Sequence, residues 1–520
     1  MQKINWRRAE VLVFYLLIYL NLIPVLKTGL VFSLDGPAHT YNALMLKQFI
    51  SGDTQLLKQY FELNTTIIPN WTGHGIMTFF QYFVSPRMSE KLLLIGILVF
   101  TPISFRYLVK SFKHVHVIGS YFIFILTYNV FQVLGFYNFL IAFIPAFFLF
   151  GYFVRHLGVF SRKQYMVLAS LLVLIYLSHV FVYILCMLTL FLFYAIHIGL
   201  KEGLKPGVYL AGFFKNSIWL IVSALPSLVL FLLFYITKPE LHPVFLDKAE
   251  ITNMLRNNQS FVLFTSAELD HTRPLLYLMM ITAGAACIKR VAGFIKNRTL
   301  ILADVFPVLL AIMLVLLYIL PDGDGWGGFY TLRTLLLVNV FMLLWAATVN
   351  LSAWFKFGAF YAMAYYHMLL MVNYHTQSEG NQPRLQACHK AATHIEQGKL
   401  VLPVNATGNW MYGHTALRAA TVPNTIALEN YEATMNYFPF KWKETVKAKP
   451  ELPTGTIPGD FAWWKWKTPG KRVLVDYIFS VGNVFGQEGK HFRVLGDCIN
   501  KHYTEIYRES DCYLYKLNKE

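Results

Sequence analysis

The sequence predicts a mostly α-helical polytopic membrane protein with a small α/β domain at its C-terminal end. Three observations predict this class. Hydrophobic residues make up 56% and charged residues 14% of the 520 residues, whereas soluble chains run near a quarter charged. The mean hydropathy is +0.46, and several apolar runs exceed the roughly 20 residues needed to cross a bilayer. The remaining polar residues gather mainly in one loop after the first apolar run and in one C-terminal stretch.

The first apolar run follows "MQKINWRR" and extends from about Val11 to Phe32. It is too long for the apolar region of a signal peptide and no small-residue cleavage site follows, so it reads as a retained helix. About ten further runs are long enough to span. They centre near Val99, Phe124, Phe147, Leu172, Leu190, Leu228, Thr282, Leu310, Leu337 and Met363. The loops "RYLVKSFKH", "RHLGVFSRKQ", "KEGLKPG", "KRVAGFIKNR" and "FKF" are short and basic, which places them and the N-terminus in the cytoplasm. An odd number of spans then puts the tail outside. The expected division is a membrane domain over 1–376, with a first extracytoplasmic loop over about 33–91, and an extracytoplasmic α/β domain over 377–520.

The net charge of +17 follows from those topology-setting loops. There is no basic–aromatic pattern of the kind that binds nucleic acid, so that partner class is excluded and the lipid bilayer is the expected surroundings. Of the five cysteines, Cys186 and Cys287 lie in apolar runs and read as packing residues. Cys388, Cys498 and Cys512 lie in the tail, where Cys498 and Cys512 are candidates to pair in an oxidising compartment. Within the tail, "PRLQACHKAATHIEQGKL" has helical spacing and "LVLPV" reads as a strand. "KRVLVDYIFSVG" reads as a second strand, and the stretch from Phe492 as a helix followed by two strands.

The first loop opens with "SLDGPAHTYNALMLKQFISGD", from Ser33 to Asp53. Gly36 and Pro37 mark a helix start. Apolar residues at Ala38, Tyr41, Leu44, Met45 and Phe49 predict an amphipathic helix along the membrane surface. Asp35 stands at or just before the N-cap, where capping is the ordinary task of an aspartate. A carboxylate where a span meets the outer interface is also a functional candidate by position. His39, four residues on, shares its face. "TGHGIMTFFQYFV" predicts a second interfacial helix with His74 near its start, a residue that is more often structural than functional.

Several stretches together, in this order, resemble the GT-C class of membrane glycosyltransferases. They are "DGPAHTYN" (35–42), "GFYNF" (135–139), "LSH" (177–179), "GGFYTLR" (327–333) and "ENYEATMNYFP" (429–439). The closest likeness is to bacterial multi-span proteins with a DGPxHxYN first-loop motif. The resemblance implies a GT-C-like fold and a sugar moved from a polyprenyl-phosphate donor, with inversion, to an envelope glycan, lipid or protein on the extracytoplasmic face of a bacterial inner membrane. It implies Asp35 as the general base. His39, Tyr41, His74, His179, Arg333 and Glu429 are the expected substrate-binding residues, with Arg333 or His179 toward the leaving phosphate. Tyr137 and Asn138 read as turn and interface-anchor residues. "PDGDGWGGFY" lacks the ligands of a calcium loop and reads as a flexible loop over a lipid-sugar site. No cofactor is required, and a divalent metal held by Asp35 and a second acid stays open. There is no P-loop, nucleophile elbow or HExxH motif. The competing classes are a lipid or glycolipid flippase and a non-enzymatic envelope assembly protein.

Overall fold

The computed structural model describes residues 6–52, 55–158, 161–202, 206–237, 242–325, 327–435, 437–447 and 475–518. The chain divides into two compact units. One comprises 1–26, 95–131 and 138–375; the other comprises 27–94, 132–137 and 376–520. The first loop therefore groups with the tail.

The first unit is helical. Among the described residues of the whole chain, eight helices are long and apolar enough to cross a membrane: Trp6–Lys27 (α1), Pro86–Val109, Tyr137–Arg155, Val180–Lys201, Ser217–Ile236, Ser266–Asn297, Leu302–Ile319 and Tyr330–Thr348. Three expected spans differ. The run near Phe124 is a ten-residue 3-10 helix, Val117–Leu126, which at about 2 Å per residue reaches only about two-thirds of a bilayer core. The run near Leu172 is a 17-residue helix, Arg162–Ser178. The run near Met363 is a 28-residue helix, Ala353–Gly380, whose tyrosines, histidines and asparagine lower its hydropathy.

Several polar side chains in this apolar setting are paired, which offsets the cost of burying them. The Arg106 guanidinium meets both Glu10 oxygens at 2.6 Å. Thr127 donates to Asn21 at 2.7 Å, and the Tyr128 hydroxyl to the Asn21 carbonyl at 2.6 Å. In the 321–330 loop, Asp322 accepts from the Thr331 N–H and Asp324 from the Gly327 N–H. These two acids accept from the loop's own backbone, and residue 326 lies outside the described residues.

The second unit is α/β. Its sheet has five strands: β2 (Leu400–Asn405), β3 (Ile426–Ala427), β5 (Tyr477–Val481), β6 (Tyr503–Glu509) and β7 (Cys512–Leu517), in the order β3-β2-β5-β7-β6. Strands β3, β2 and β5 run parallel, and β7 and β6 are antiparallel additions. Helices Gln382–Ala392 (α5) and Lys490–His502 (α6) belong to the same unit. The tail strands and helices expected from the sequence are all present, although residues 471–474 of the "KRVLVDYIFSVG" strand lie outside the described residues.

The first loop is built into this domain. Its strand β1 (Phe61–Leu63) pairs antiparallel with β4 (Phe440–Trp442), and the Phe61 and Trp442 rings lie 4.2 Å apart. Helix α2 (Gly36–Ser51) buries twelve of its sixteen residues. It packs against α3 (Thr72–Gln81) and against the tail turns Thr415–Ala420 and Tyr431–Thr434. This corrects the reading of α2 as a helix lying along the membrane surface. The reason is chemical: its polar face, Asp35, His39 and Asn42, has its own partners in the tail. Asn42 and Asn430 exchange reciprocal amide hydrogen bonds at 3.0 Å. Helix α3 keeps the amphipathic form, with His74, Met77 and Thr78 buried and Phe79 exposed.

The Cys498–Cys512 pairing is also displaced. Cys512 Sγ lies 3.4 Å from Cys388 Sγ instead, both buried between α5 and β7.

Candidate active site

Asp35 occupies the N-cap position of α2, but its side chain makes no capping hydrogen bond. The ordinary task of an aspartate at that place is therefore not the one it performs. Its backbone is held by the 132–137 segment: Leu34 and Asp35 N–H donate to the Val133 and Leu134 carbonyls at 2.9 and 3.1 Å. Two glycines make the approach possible. Gly135 has φ +76, and a Cβ on it would lie 2.8 Å from the Gly36 nitrogen. A Cβ on Gly36 would overlap the Glu90 carboxylate and the Ser33 hydroxyl. The glycines of "DGP" and "GFYNF" thus serve one contact.

Glu90, near the start of Pro86–Val109 (α4), is fully buried. It accepts from Ser33 at 2.8 Å and from the Tyr137 hydroxyl at 2.9 Å, and faces both terminal nitrogens of Arg418 at 3.3 Å. This is a satisfied ion pair that stiffens the floor beneath Asp35. Tyr137, read from sequence as an interface anchor, is part of it.

The tail completes the cluster. His414 Nε2 lies 3.7 Å from Asp35 Oδ1, and His414 Nδ1 lies 2.9 Å from Glu429 Oε1. The His414 ring stacks on Tyr431 at 4.4 Å. The Tyr431 hydroxyl sits beside the Asp35 carboxyl, yet neither it nor Glu429 Oε2 has an aligned hydrogen bond among the described residues. Burial pushes the Asp35 carboxyl above its ordinary range, although His414 and His39 pull the other way. Burial would also lower His414, but the Glu429 and Asp35 carboxylates outweigh it and raise it. Asp35 retains some access, with 13% of its side chain exposed, while Glu429 retains 1%. A partly accessible carboxylate with a raised affinity for protons, flanked by an imidazole and a phenol, is suited to taking a proton from a bound hydroxyl.

Beside it lies a second group. His39, on the face of α2 below Asp35, and His74, in the first turn of α3, both meet Glu432. Burial opposes ionisation of Glu432, but the two imidazoles hold its carboxyl down at about 2. Two imidazoles and a carboxylate are also a metal-ligand set.

Four residues singled out in the sequence, Asp35, His39, His74 and Glu429, are thus neighbours in the second unit. Tyr41 shares α2, but its hydroxyl donates to the Thr425 carbonyl at 2.9 Å and accepts from the Ala427 N–H at 3.0 Å; it is occupied by the backbone around β3. His179 and Arg333 belong to the first unit, where both lie against the Phe139 ring, at 5.1 and 5.7 Å. Sequence reasoning passed over Glu90, His414, Arg418 and Glu432. Glu90 had a signal, an acid at the mouth of a span, and Glu432 stands in a motif already quoted. His414 and Arg418 had none.

No family model and no curated protein matches the sequence. Among solved structures, the chain is similar to ArnT from Cupriavidus metallidurans bound to undecaprenyl phosphate, with TM-score 0.52, 9% identity and coverage of 99% of this chain and 98% of that one. It is similar to the same protein in the apo state with TM-score 0.53, 9% identity and 98% of each chain covered. At this identity the likeness is one of fold alone: the chain has an ArnT-like fold.

Proposed function

We propose that the protein is an inverting glycosyltransferase that moves a sugar from a polyprenyl-phosphate donor to an envelope glycan, lipid or protein acceptor. The carrying observation is Asp35: a partly accessible carboxylate, free of its capping task, with the Tyr431 hydroxyl and the His414 ring beside it. The fold shared with a protein crystallised with undecaprenyl phosphate supports the donor class. In this reading Asp35 takes the proton of the acceptor hydroxyl as its oxygen attacks the anomeric carbon. The carbon–oxygen bond to the lipid phosphate breaks on the opposite side. The departing phosphate needs donors as its charge develops, and the Arg333 fork matches phosphate geometry, with His179 beside the same aromatic ring. The short basic loops support a cytoplasmic N-terminus and an extracytoplasmic tail in a bacterial inner membrane.

The test supplies wild type and Asp35→Asn, in lipid nanodiscs, with a panel of undecaprenyl-phosphate sugars, and follows released lipid phosphate by mass spectrometry. A positioned base contributes about 10²–10⁴-fold, so the variant is expected to lose release by that factor while keeping its thermal unfolding midpoint. Full release by a folded Asp35→Asn removes Asp35 from the mechanism. No release and no donor binding by wild type across the panel removes the transferase reading.

A further inference from the structure

His39, His74 and Glu432 converge from α2, α3 and the turn Tyr431–Thr434, and all three are buried. His39 Nδ1 lies 2.5 Å from Glu432 Oε1 and His74 Nε2 lies 2.8 Å from Glu432 Oε2. The two rings are 4.9 Å apart and nearly perpendicular, at 87°. The far nitrogen of each ring is committed elsewhere. His39 Nε2 is 3.1 Å from the Gly135 carbonyl oxygen and His74 Nδ1 is 3.1 Å from the Asn70 carbonyl oxygen. A carbonyl only accepts, so those two nitrogens carry hydrogen. In neutral rings the nitrogens facing Glu432 are then the lone-pair nitrogens.

Protons alone account for this poorly. A neutral ring sets a lone pair against carboxylate lone pairs, while charging both rings sets two imidazolium ions 4.9 Å apart on the same Glu432 carboxylate. Protonation does not satisfy the shorter contact either. His39 Nδ1 and Glu432 Oε1 are close but not aligned, and neither has a hydrogen bond among the described residues. Imidazole nitrogens facing inward with their other N–H groups fixed by carbonyls are the arrangement of metal-bound histidines. Ligands about 2.0–2.2 Å from one zinc ion sit roughly 3–4 Å apart, and the three donor atoms here lie within 4.8 Å of one another. Small side-chain shifts open the contacts to a common ion. The donor set suits a borderline transition-metal ion and not magnesium or calcium, which prefer oxygen.

We propose that His39 Nδ1, His74 Nε2 and the Glu432 carboxylate bind one zinc-class divalent ion that ties α2 and α3 to the tail. Three protein ligands leave a fourth tetrahedral position for water or another oxygen. This site differs from the pairing of Asp35 with a second acid that the sequence left open, and it stands whether or not the chain transfers a sugar.

The full chain in nanodiscs, stripped with chelator, incubated with zinc chloride and desalted, is expected to retain about one zinc per chain by elemental mass spectrometry. It is also expected to unfold at a higher temperature than the stripped protein, and magnesium chloride is expected to do neither. His39→Gln, His74→Gln and the near-isosteric Glu432→Gln should each reduce retained zinc to background, and the exposed His394→Gln should not. Should a ligand variant fail to fold, cobalt titrated into wild type gives a visible absorption that tests the same site without substitution. Wild type that unfolds cooperatively yet retains no zinc and shows no cobalt band overturns the site. Folded ligand variants that keep their zinc overturn it too. Metal content is read without donor or acceptor, so zinc binding without transfer refutes the function alone, and transfer by a chain that retains no zinc after loading refutes the site alone.

Discussion

Replacing Glu90 by glutamine tests whether the buried ion pair beneath Asp35 holds the site. Glutamine keeps the shape and one acceptor for Ser33 and Tyr137. It removes the charge opposite Arg418, whose terminal nitrogens lie 3.3 Å from Glu90 Oε2 and whose guanidinium otherwise donates, among the described residues, to the Val31 carbonyl at 2.6 Å. Both side chains are at most 6% exposed, so solvent screens little of the loss. Breaking one partner of a buried pair costs about 3–5 kcal/mol. At about 2–4 °C per kcal/mol for a domain of 150–250 residues, the unfolding midpoint falls by about 6–20 °C. The assay is intrinsic-fluorescence melting in nanodiscs of wild type, Glu90→Gln, Arg418→Met and the double variant. The double variant is expected to lose less than the two singles combined, with a coupling of about 0.5–3 kcal/mol. A Glu90→Gln midpoint within about 1 °C of wild type, or strictly additive losses, refutes the argument.

Other outcomes follow from the same geometry. Gly36→Ala drives a methyl into the Glu90 carboxylate and the Ser33 hydroxyl; overpacking of this kind costs about 1–3 kcal/mol, read as a lower melting midpoint together with slower transfer. Tyr41→Phe strands the buried Ala427 N–H and is expected to cost about 1–3 kcal/mol without changing the KM for donor, whereas a changed KM with unchanged stability would make Tyr41 a substrate contact. In an oxidising compartment Cys388 and Cys512 should join, and non-reducing peptide mapping should recover that pair and not Cys498–Cys512. The 124-residue separation makes such a link worth about 4–5 kcal/mol in the chain-entropy description, so reductant should lower the melting midpoint.

Much of this was written locally. Long apolar runs can only be satisfied as helices in a bilayer, so the membrane class was legible from composition and run length. The tail's strands and helices were legible from their periodicity. Where a run was short or polar, as at 117–126 and 353–380, the helix formed falls short of the length or the hydropathy of the other eight. In the first loop, helical spacing located α2 and α3, and the position of Asp35 marked it as a candidate.

Spacing along α2 alone did not decide what its polar face met. The same pattern serves a helix on a membrane surface or one wedged against a domain, and the choice rests on partners nearly four hundred residues away: Asn430 for Asn42, the backbone around β3 for Tyr41, and Glu432 for His39. Whether Asp35 capped its helix was likewise a matter of side-chain direction, settled by the close passage of Gly135 and the presence of His414. Composition and periodicity determined that this chain spans a membrane and carries an α/β tail, because burial of apolar surface and local hydrogen bonding are short-range demands. Only the tertiary structure decided which carboxylates and imidazoles meet, because that depends on loop closure across the length of the chain, for which no local pattern is a record.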